Sequence, residues 1–513
     1  MTRSALAILA MAALLACSTA FGKSIEDRRW ILMESENFVV HSAIGRRGTE
    51  RLVKYLEAVQ SLFIDSAAKK ERLTAPTGIF VISKQQDLAE LGIEDAENLA
   101  GFFVPRLRRN IMFILEDSNV DETATAVHEY VHYLQHNLIR FPFPKWYQEG
   151  YAEWVAGSSM GKKHFDVGLP YERRLAWLAE SRRWLPWETI IDSSDFAELE
   201  DSDDIGRFYS QAWLLTHFLL SQPNGEERLK QSFLHYGHAL KDGASEIEAF
   251  EEGFGYTLQE LEDELDDYSR KRVYNYSRVP LEELLAGFDT STRRLSRAEI
   301  SVELAELILT LRFPGIDTDS ELFTTTRRLF ANGLNDPATR ARAEIGTAYI
   351  LEIAGESDAA EKYVASGASL AQQDFHVQLD AAQFFINRSM RSDQVNKSKV
   401  ARAEPFLQRA LALDSSDAEI KLTLGLYSLA LESYDRALEH ILAATIAAPA
   451  VPEPRLLLIG LLMQSEQTDL AHEYATDMLL FMHHNNQAAQ QLRALIEEIE
   501  QSHQSPETGS KEP

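Results

Sequence analysis

The sequence predicts an α+β protein in which a small sheet is followed by helices and then by a second, all-helical region. Runs of β-branched and aromatic residues of strand length occur before residue 116, and amphipathic helical patterns follow them. From about residue 296 the strand signal almost vanishes, and the sequence repeats at a fixed period. At 513 residues the chain exceeds what one core usually organises, so we expect at least two domains.

Residues 1–22 have the pattern of an export signal peptide. Arg3 gives a positive start, residues 5–16 form an unbroken apolar run, and small residues follow at 18–20. The apolar run is too short to span a bilayer, and no later run approaches the length of a transmembrane helix. We therefore expect an exported protein whose mature form has no transmembrane helix.

Cys17 is the only cysteine, which rules out an internal disulfide framework and a thiolate zinc cluster. The segment Leu14-Leu15-Ala16-Cys17 resembles the lipobox at which bacterial lipoproteins are cleaved and acylated. The alternative is plain cleavage after residues 18–20, which would discard Cys17. Both remain open, so the expected location is the bacterial cell envelope, either periplasmic or lipid-anchored to a membrane.

The charge balance disfavours some partners. The chain has 51 Lys and Arg against 79 Asp and Glu, a formal net charge of −28. Such an excess of negative charge disfavours nucleic acid and anionic membrane surfaces.

The N-terminal elements are predicted from local patterns. Residues 36–44 and 77–83 are strand-like, with a helical stretch at about 47–67 between them. Residues 101–105 and 110–115 look like paired strands joined by a basic turn. Helices are expected at about 121–138, from near Trp146, and then at 171–182, 208–221 and 256–271.

The helix predicted at 121–138 contains the pattern His128-Glu129-x-x-His132. Residues four apart lie on one helical face, so the two imidazoles can converge on one cation, and Glu129 can act as a general base on water held there. His136 continues the series, but its Cα lies about 12 Å along the axis from that of His128. We therefore do not expect His136 to be a ligand.

The next predicted helix carries two further carboxylates. In the segment Trp146-Tyr147-Gln148-Glu149-Gly150-Tyr151-Ala152-Glu153, Glu149 can supply a third metal ligand. Glu153 follows one helical turn later on the same face, where it can accept a hydrogen bond from a ligating imidazole and so orient it.

Together these residues resemble the gluzincin pattern of MA-like zinc peptidases, an HExxH helix followed by a W-x-x-E-G-x-A-E helix. The resemblance implies a thermolysin-like zincin domain over residues 23–290. In it His128, His132 and Glu149 would bind one Zn²⁺ per chain, Glu129 would be the general base, and Glu153 would orient a histidine. Sixteen residues separate His132 from Glu149. That is fewer than in the aminopeptidases, so we expect the wider clan and not that family.

Tyr209, in the segment 207–213, is similar to a tyrosine at this place in MA-like sequences and is our candidate donor to the developing oxyanion, with His217 behind it. The alternative for Tyr209 is a packed aromatic residue on an amphipathic helix.

The C-terminal region repeats every 34 residues at Ala403, Ala437 and Ala471. This resembles tetratricopeptide repeats, in which small residues let paired helices pack closely, and implies an all-α solenoid over residues 296–499. Residues 500–513 lack an apolar face and are expected to be disordered.

These observations predict a zinc metallopeptidase that hydrolyses peptide bonds of envelope or secreted proteins. Its repeats are expected to dock the polypeptide substrate or a protein partner. The alternative is a catalytically inactive repeat scaffold that assembles envelope protein complexes.

Overall fold

The structure is a computed structural model that describes residues 24–66, 77–93, 101–115, 122–138, 143–170, 172–179, 184–192, 199, 202–271, 273–313, 315–391, 395–479, 491–497 and 499. It has an α+β layout with a small mixed sheet and a helical C-terminal region. The predicted export signal, Cys17 and the predicted tail at 500–513 lie outside the described residues.

The strands form two sheets. They are β1 (Ile31–Glu34), β2 (Phe38–Ser42), β3 (Thr77–Ile82), β4 (Gly101–Val104), β5 (Asn110–Leu115), β6 (Ser159–Met160), β7 (His164–Val167), β8 (Ser277–Pro280) and β9 (Ser291–Arg294). The larger sheet has the order β4-β5-β3-β2-β1-β9, and β6, β7 and β8 form the smaller one. In the larger sheet β2, β3 and β5 are parallel and the other pairs are antiparallel. The predicted hairpin is confirmed, because β4 pairs with β5 and lies at the sheet edge.

The helices of the N-terminal half surround this sheet and continue beyond it. They are α1 (Arg46–Ser66), α2 (Gln85–Glu90), α3 (Glu122–Leu138), α4 (Lys145–Ala156), α5 (Glu172–Leu178), α6 (Trp187–Ile191), α7 (Ser202–Leu220), α8 (Gly225–Lys241), α9 (Glu246–Phe254), α10 (Leu258–Ser269) and α11 (Leu281–Leu284). The helix predicted at about 121–138 is confirmed as α3, and α4 begins one residue before the predicted start at Trp146.

In the C-terminal region the described helices are α12 (Arg297–Arg312), α13 (Glu321–Gly333), α14 (Arg340–Ile353), α15 (Ser357–Leu370), α16 (Phe375–Met390), α17 (Lys397–Val400), α18 (Glu404–Leu413), α19 (Ala418–Ala430), α20 (Tyr434–Ala447), α21 (Pro452–Gln464) and α22 (Thr468–Leu479). The described residues after β9 contain no strand. Helices α19 and α21 begin 34 residues apart, and so do α20 and α22. Ala403, Ala437 and Ala471, the positions of the 34-residue repeat, are all fully buried. Leu456 of α21 is 37% exposed.

The larger sheet is buried on both faces. On one face Val40, Ile79 and Met112 pack with Val127 of α3 and Trp146 of α4. On the other face Phe80 and Phe113 pack with apolar residues of α12 and α13, in a second cluster. Burial of both faces is the usual environment of parallel strands. The first helices of the C-terminal region therefore complete the core of the sheet. Strand β9 (Ser291–Arg294) adds the last strand, next to β1.

The turn between β4 and β5 docks into the C-terminal helices. Leu107 is buried in the apolar cluster of α19 to α22. The Arg108 guanidinium pairs with Glu419 of α19, with Nε 2.9 Å from Oε2, and with Asp380 of α16, with Nη1 3.1 Å from Oδ2. The edge hairpin is thus held in place by helices that follow it by more than 250 residues in the chain.

None of the described helices is both long and apolar enough to cross a membrane.

Candidate metal centre

Helices α3 and α4 bring the predicted ligands together. On α3 the apolar face predicted from the sequence, Ala124, Val127, Val131 and Leu134, is buried. Pro144 directly precedes α4 and is its N-cap residue. Proline is common at the start of a helix because it has no N–H to leave unpaired.

Gly150 lets α4 lie close to α7. A Cβ atom at this position would collide with the Ala212 carbonyl and the Thr216 hydroxyl of α7. Glycine is therefore required beside Glu149 by helix packing, and the close approach brings the helix that carries Tyr209 to the metal centre.

Three side-chain atoms converge on one point. His128 Nε2 lies 3.1 Å from His132 Nε2 and 3.1 Å from Glu149 Oε2, and His132 Nε2 lies 3.0 Å from Glu149 Oε2. The histidines are 8% and 9% exposed, and Glu149 is fully buried. Tetrahedral ligands at about 2.0–2.1 Å from a zinc ion are separated by roughly 3.3 Å, close to these distances.

The outer atom of each of these side chains has its own neighbour. His132 Nδ1 lies 3.3 Å from Gln135 Oε1, which can only accept a hydrogen bond. Glu149 Oε1 lies 2.8 Å from Lys145 Nζ. Because the Nδ1 proton of His132 is used by Gln135, its Nε2 presents a lone pair to the point of convergence.

Glu153 holds the other histidine. Its Oε1 lies 3.2 Å from His128 Nδ1. The same carboxylate accepts from Arg174 of α5, with Nε 2.8 Å from Oε2, and Glu153 and Arg174 are 3% and 6% exposed. The helical spacing predicted that Glu153 would lie beside an imidazole. In the structure it lies beside Nδ1 of His128, on the side away from the converging Nε2 atom.

The electrostatics favour positive charge at the centre. Burial opposes protonation of His128, but hydrogen bonds to Glu149 and Glu153 outweigh it and raise the pKa of His128 to about 10. Burial lowers the pKa of His132. Burial also opposes ionisation of Glu153, but Arg174 and His128 lower its pKa to about 2. A divalent cation would satisfy the same carboxylates that otherwise favour a proton on His128.

The donor set fits zinc. Two imidazole nitrogens and one carboxylate oxygen converge, the outer atoms of the three side chains are engaged, and the inner atoms are largely buried. Two histidines and a glutamate leave one position of a tetrahedral site for water or substrate, which is the composition of catalytic zinc sites.

Glu129 lies on the open side of the centre. It is half-buried and lines a cleft of about 320 Å³ together with His132 and Glu149. Phe103 and Val104 of the edge strand β4 line the same cleft. Glu129 and the edge strand β4 thus line the same open space beside the centre.

Tyr209 is also near the centre. Its ring centroid lies 5.8 Å from that of His128, and the Arg174 guanidinium carbon lies 5.3 Å from the Tyr209 ring. Burial and the carboxylates of Glu149, Glu129 and Glu153 raise the pKa of Tyr209, so its hydroxyl keeps its proton.

His217 is engaged in the core instead. Its Nε2 donates to the Gly168 carbonyl at 3.0 Å, and its Nδ1 lies 2.9 Å from the Tyr268 hydroxyl. Burial lowers its pKa to about 4, so this imidazole stays neutral. His136 belongs to α3, but its side chain lies outside the described part of the chain.

The sequence matches no protein-family model, and no curated protein matches it significantly. The case for a function therefore depends on the centre and its cleft.

Sequence reasoning did not find Gln135, Lys145 and Arg174. Gln135 and Lys145 were accessible to it, because they lie three residues after His132 and four before Glu149 on the same helices. Arg174 lies 21 residues after Glu153 on another helix, so no local spacing indicates it.

Proposed function

We propose that this chain is a zinc-dependent peptidase of the gluzincin type, which hydrolyses peptide bonds of envelope or secreted proteins. The observation that carries the proposal is the cleft in which His132, Glu149 and Glu129 lie beside the edge strand β4. A metal centre of this composition next to a free strand edge suits an extended polypeptide. The thermolysin-like arrangement of the N-terminal half belongs to the same proposal.

His128, His132 and Glu149 would hold the zinc ion. When bound, zinc supplies Lewis-acid chemistry, which polarises a carbonyl and makes water acidic near neutral pH. Glu129 accepts the proton of the attacking water and returns it to the leaving amine, the role for which its half-buried place on the cleft suits it.

Tyr209 is assigned as a donor to the oxyanion that develops on the substrate carbonyl. Its support is the ring contact with His128 and the environment that keeps its hydroxyl protonated. The alternative is that Tyr209 is only a packed aromatic residue. Tyr209→Phe, which removes the hydroxyl alone, distinguishes the two roles.

The substrate main chain would add to β4. This strand is at the edge of the sheet, and Phe103 of β4 packs on Tyr133 of α3, with ring centroids 5.2 Å apart. A peptide paired with β4 would run past Glu129 and the metal ligands, with its carbonyl groups directed alternately towards β4 and away from it.

The C-terminal helices would form a tetratricopeptide-like solenoid that docks a protein substrate or partner. The 34-residue offset of successive helix pairs supports the repeat assignment. Docking would raise the local substrate concentration at the cleft. The proposal locates the chain in the bacterial envelope, either periplasmic or anchored through a lipid on Cys17.

The test is metal analysis and proteolysis with the purified mature chain. We expect about one zinc per chain and hydrolysis of an unfolded protein substrate that a chelator abolishes. His132→Ala should lose both zinc and activity, whereas Glu129→Gln should keep zinc and lose activity. His235→Ala, which removes an exposed histidine of α8, is the matched control and should change neither.

Absence of bound zinc in the wild-type protein would refute the metal centre. Zinc binding without hydrolysis of any protein or peptide would favour the second function, an inactive scaffold that assembles envelope protein complexes through its repeats. Loss of zinc from Glu129→Gln would mean that this residue is a ligand and not the base.

A further inference from the structure

The far wall of the cleft comes from the C-terminal region. The wall consists of Pro449, Ala450 and Val451, between α20 and α21, with Pro452 and Arg455 of α21 and Met478 of α22. On the near side Arg106, from the β4–β5 turn, completes the lining. The cleft is therefore closed by two parts of the chain that lie far apart in sequence.

The two arginines give this end of the cleft positive charge. Arg106 is partly buried and Arg455 is 8% exposed, and burial lowers the pKa of both. The acidic residues that line the cleft are Glu129 and Glu149, which belong to the metal centre. In a chain with a net charge of −28, two arginines that line one cleft from opposite sides are a local reversal of charge.

Arg106 differs from the two arginines beside it. Arg108 is paired with two carboxylates, and Arg109 Nη2 lies 3.1 Å from Glu303. The Arg106 guanidinium instead donates from Nη1 to the carbonyl of the preceding Pro105, at 3.3 Å. The Glu453 carboxylate attracts it electrostatically, but no salt bridge joins Arg106 to any of the described residues.

Arg455 has a weak anionic neighbour. Its Nη1 lies 3.4 Å from Asp477 Oδ2, and the Asp477 side chain is 55% exposed. Asp477 thus keeps much of its contact with water, and Arg455 lines the cleft as well. A carboxylate that enters the cleft would lose water of hydration. It would receive charge-assisted hydrogen bonds from the guanidinium groups in exchange.

We propose that the cleft selects polypeptides that carry a carboxylate near the bond to be cleaved, held by Arg106 with Arg455. This inference rests on the proposed peptidase function and names its substrate class. The carboxylate has two possible sources, an Asp or Glu side chain of the substrate or the α-carboxylate at the end of a chain. The first source gives an endopeptidase with acidic specificity, and the second gives an enzyme that works from a carboxyl terminus.

The experiment measures peptide binding by the full mature chain carrying Glu129→Gln, so that no peptide is cleaved. Three fluorescent peptides of equal length are compared by anisotropy: a neutral peptide with an amidated end, the same peptide with one internal Glu, and the neutral peptide with a free carboxyl end. We expect at least one carboxylate peptide to bind about 10-fold or more tightly than the neutral one. Which of the two binds tightly identifies the source.

Arg106→Gln, added to the same chain, should abolish this preference, measured as the ratio of the Kd of the neutral peptide to the Kd of the carboxylate peptide. Arg294→Gln removes an exposed arginine from β9, at the opposite edge of the sheet, and is the control for net charge. Arg455→Gln is the second cleft variant and should reduce the preference as well. A thermal melt of each variant verifies that it is folded.

Equal binding of the three peptides, or an unchanged preference in folded Arg106→Gln, would overturn the inference. Because binding is measured without hydrolysis, this failure is distinct from failure of the proposed function. Hydrolysis of neutral and acidic peptides at equal kcat/KM would likewise sink the substrate class and leave the peptidase standing.

Discussion

The contact between Glu153 and His128 makes a prediction that can be worked out from the structure. Glu153 holds the imidazole of His128 on one side and is itself held by Arg174. Glu153→Gln keeps the volume of the side chain and removes its charge. We expect it to weaken zinc affinity by about 10- to 100-fold, as for other carboxylates that orient a ligating histidine. This corresponds to about 1.4 to 2.7 kcal/mol.

Glu153→Ala should have a second effect, on the fold. The Arg174 side chain is only 7% exposed, so Glu153→Ala removes a carboxylate that pairs with a buried guanidinium. Breaking a buried pair in this way costs about 3–5 kcal/mol, a large part of the roughly 5–15 kcal/mol that stabilises a domain. The double variant Glu153→Ala with Arg174→Met removes both charges and should recover most of the stability, but not the zinc affinity.

The assay is zinc affinity in competition with a chelator, with the thermal melt of the metal-free protein beside it. Unchanged affinity in both Glu153→Gln and Glu153→Ala would refute the role of Glu153 in orienting His128, because the glutamine oxygen alone could still accept from His128 Nδ1. Recovery of zinc affinity in the double variant would show that the Arg174 charge, and not the lost hydrogen bond, had weakened binding of the cation.

Three further predictions concern the surroundings of the centre. Gly150→Ala should push α4 away from α7 and reduce zinc content. It should also destabilise the protein by about 1–3 kcal/mol or more, so an unchanged melting temperature would contradict the packing argument. Arg108→Gln should destabilise the chain by about 1–3 kcal/mol because Asp380 and Glu419, which are only partly exposed, lose their cation. Neutralising both carboxylates as well should reverse most of this loss in a urea titration. Tyr209→Phe should keep zinc and lower kcat by about 10²- to 10³-fold, whereas full activity in this variant would leave Tyr209 as a packed aromatic residue.

The sequence predicted the elements that carry a strong local pattern. Helix α3 and the β4–β5 hairpin have apolar or β-branched periodicity of their own, so their bounds were found within a few residues. The two histidines of the candidate metal centre were found because spacing on a helix determines which residues share a face, and Glu149 was found through the resemblance of its helix to the gluzincin pattern. Convergence of His128, His132 and Glu149 follows from that spacing once α4 packs beside α3.

Other features could not be predicted, because long-range contacts create them. Strand β9 has the sequence Ser-Thr-Arg-Arg, which has no strand-like apolar alternation, and it is a strand because β1 pairs with it. Helix α8 was missed as well, although it lies between two predicted helices. The basic turn after β4 was recognised as a turn, but nothing local showed that Arg108 pairs with carboxylates at positions 380 and 419.

The docked hairpin also bears on the order in which the molecule becomes functional. The residues of the metal centre are close together in the chain, whereas the partners of Arg108 follow it by 272 and 311 residues. A chain that folds from its N-terminus can therefore gather its ligands long before the far wall of the cleft exists, since non-local contacts form late. Until the segment 449–478 has folded, the edge strand lacks its support and the ligands face open solvent. Formation of the cleft is thus coupled to completion of nearly the whole protein, and a prematurely terminated chain would bring His128, His132 and Glu149 together without the far wall of the cleft beside them.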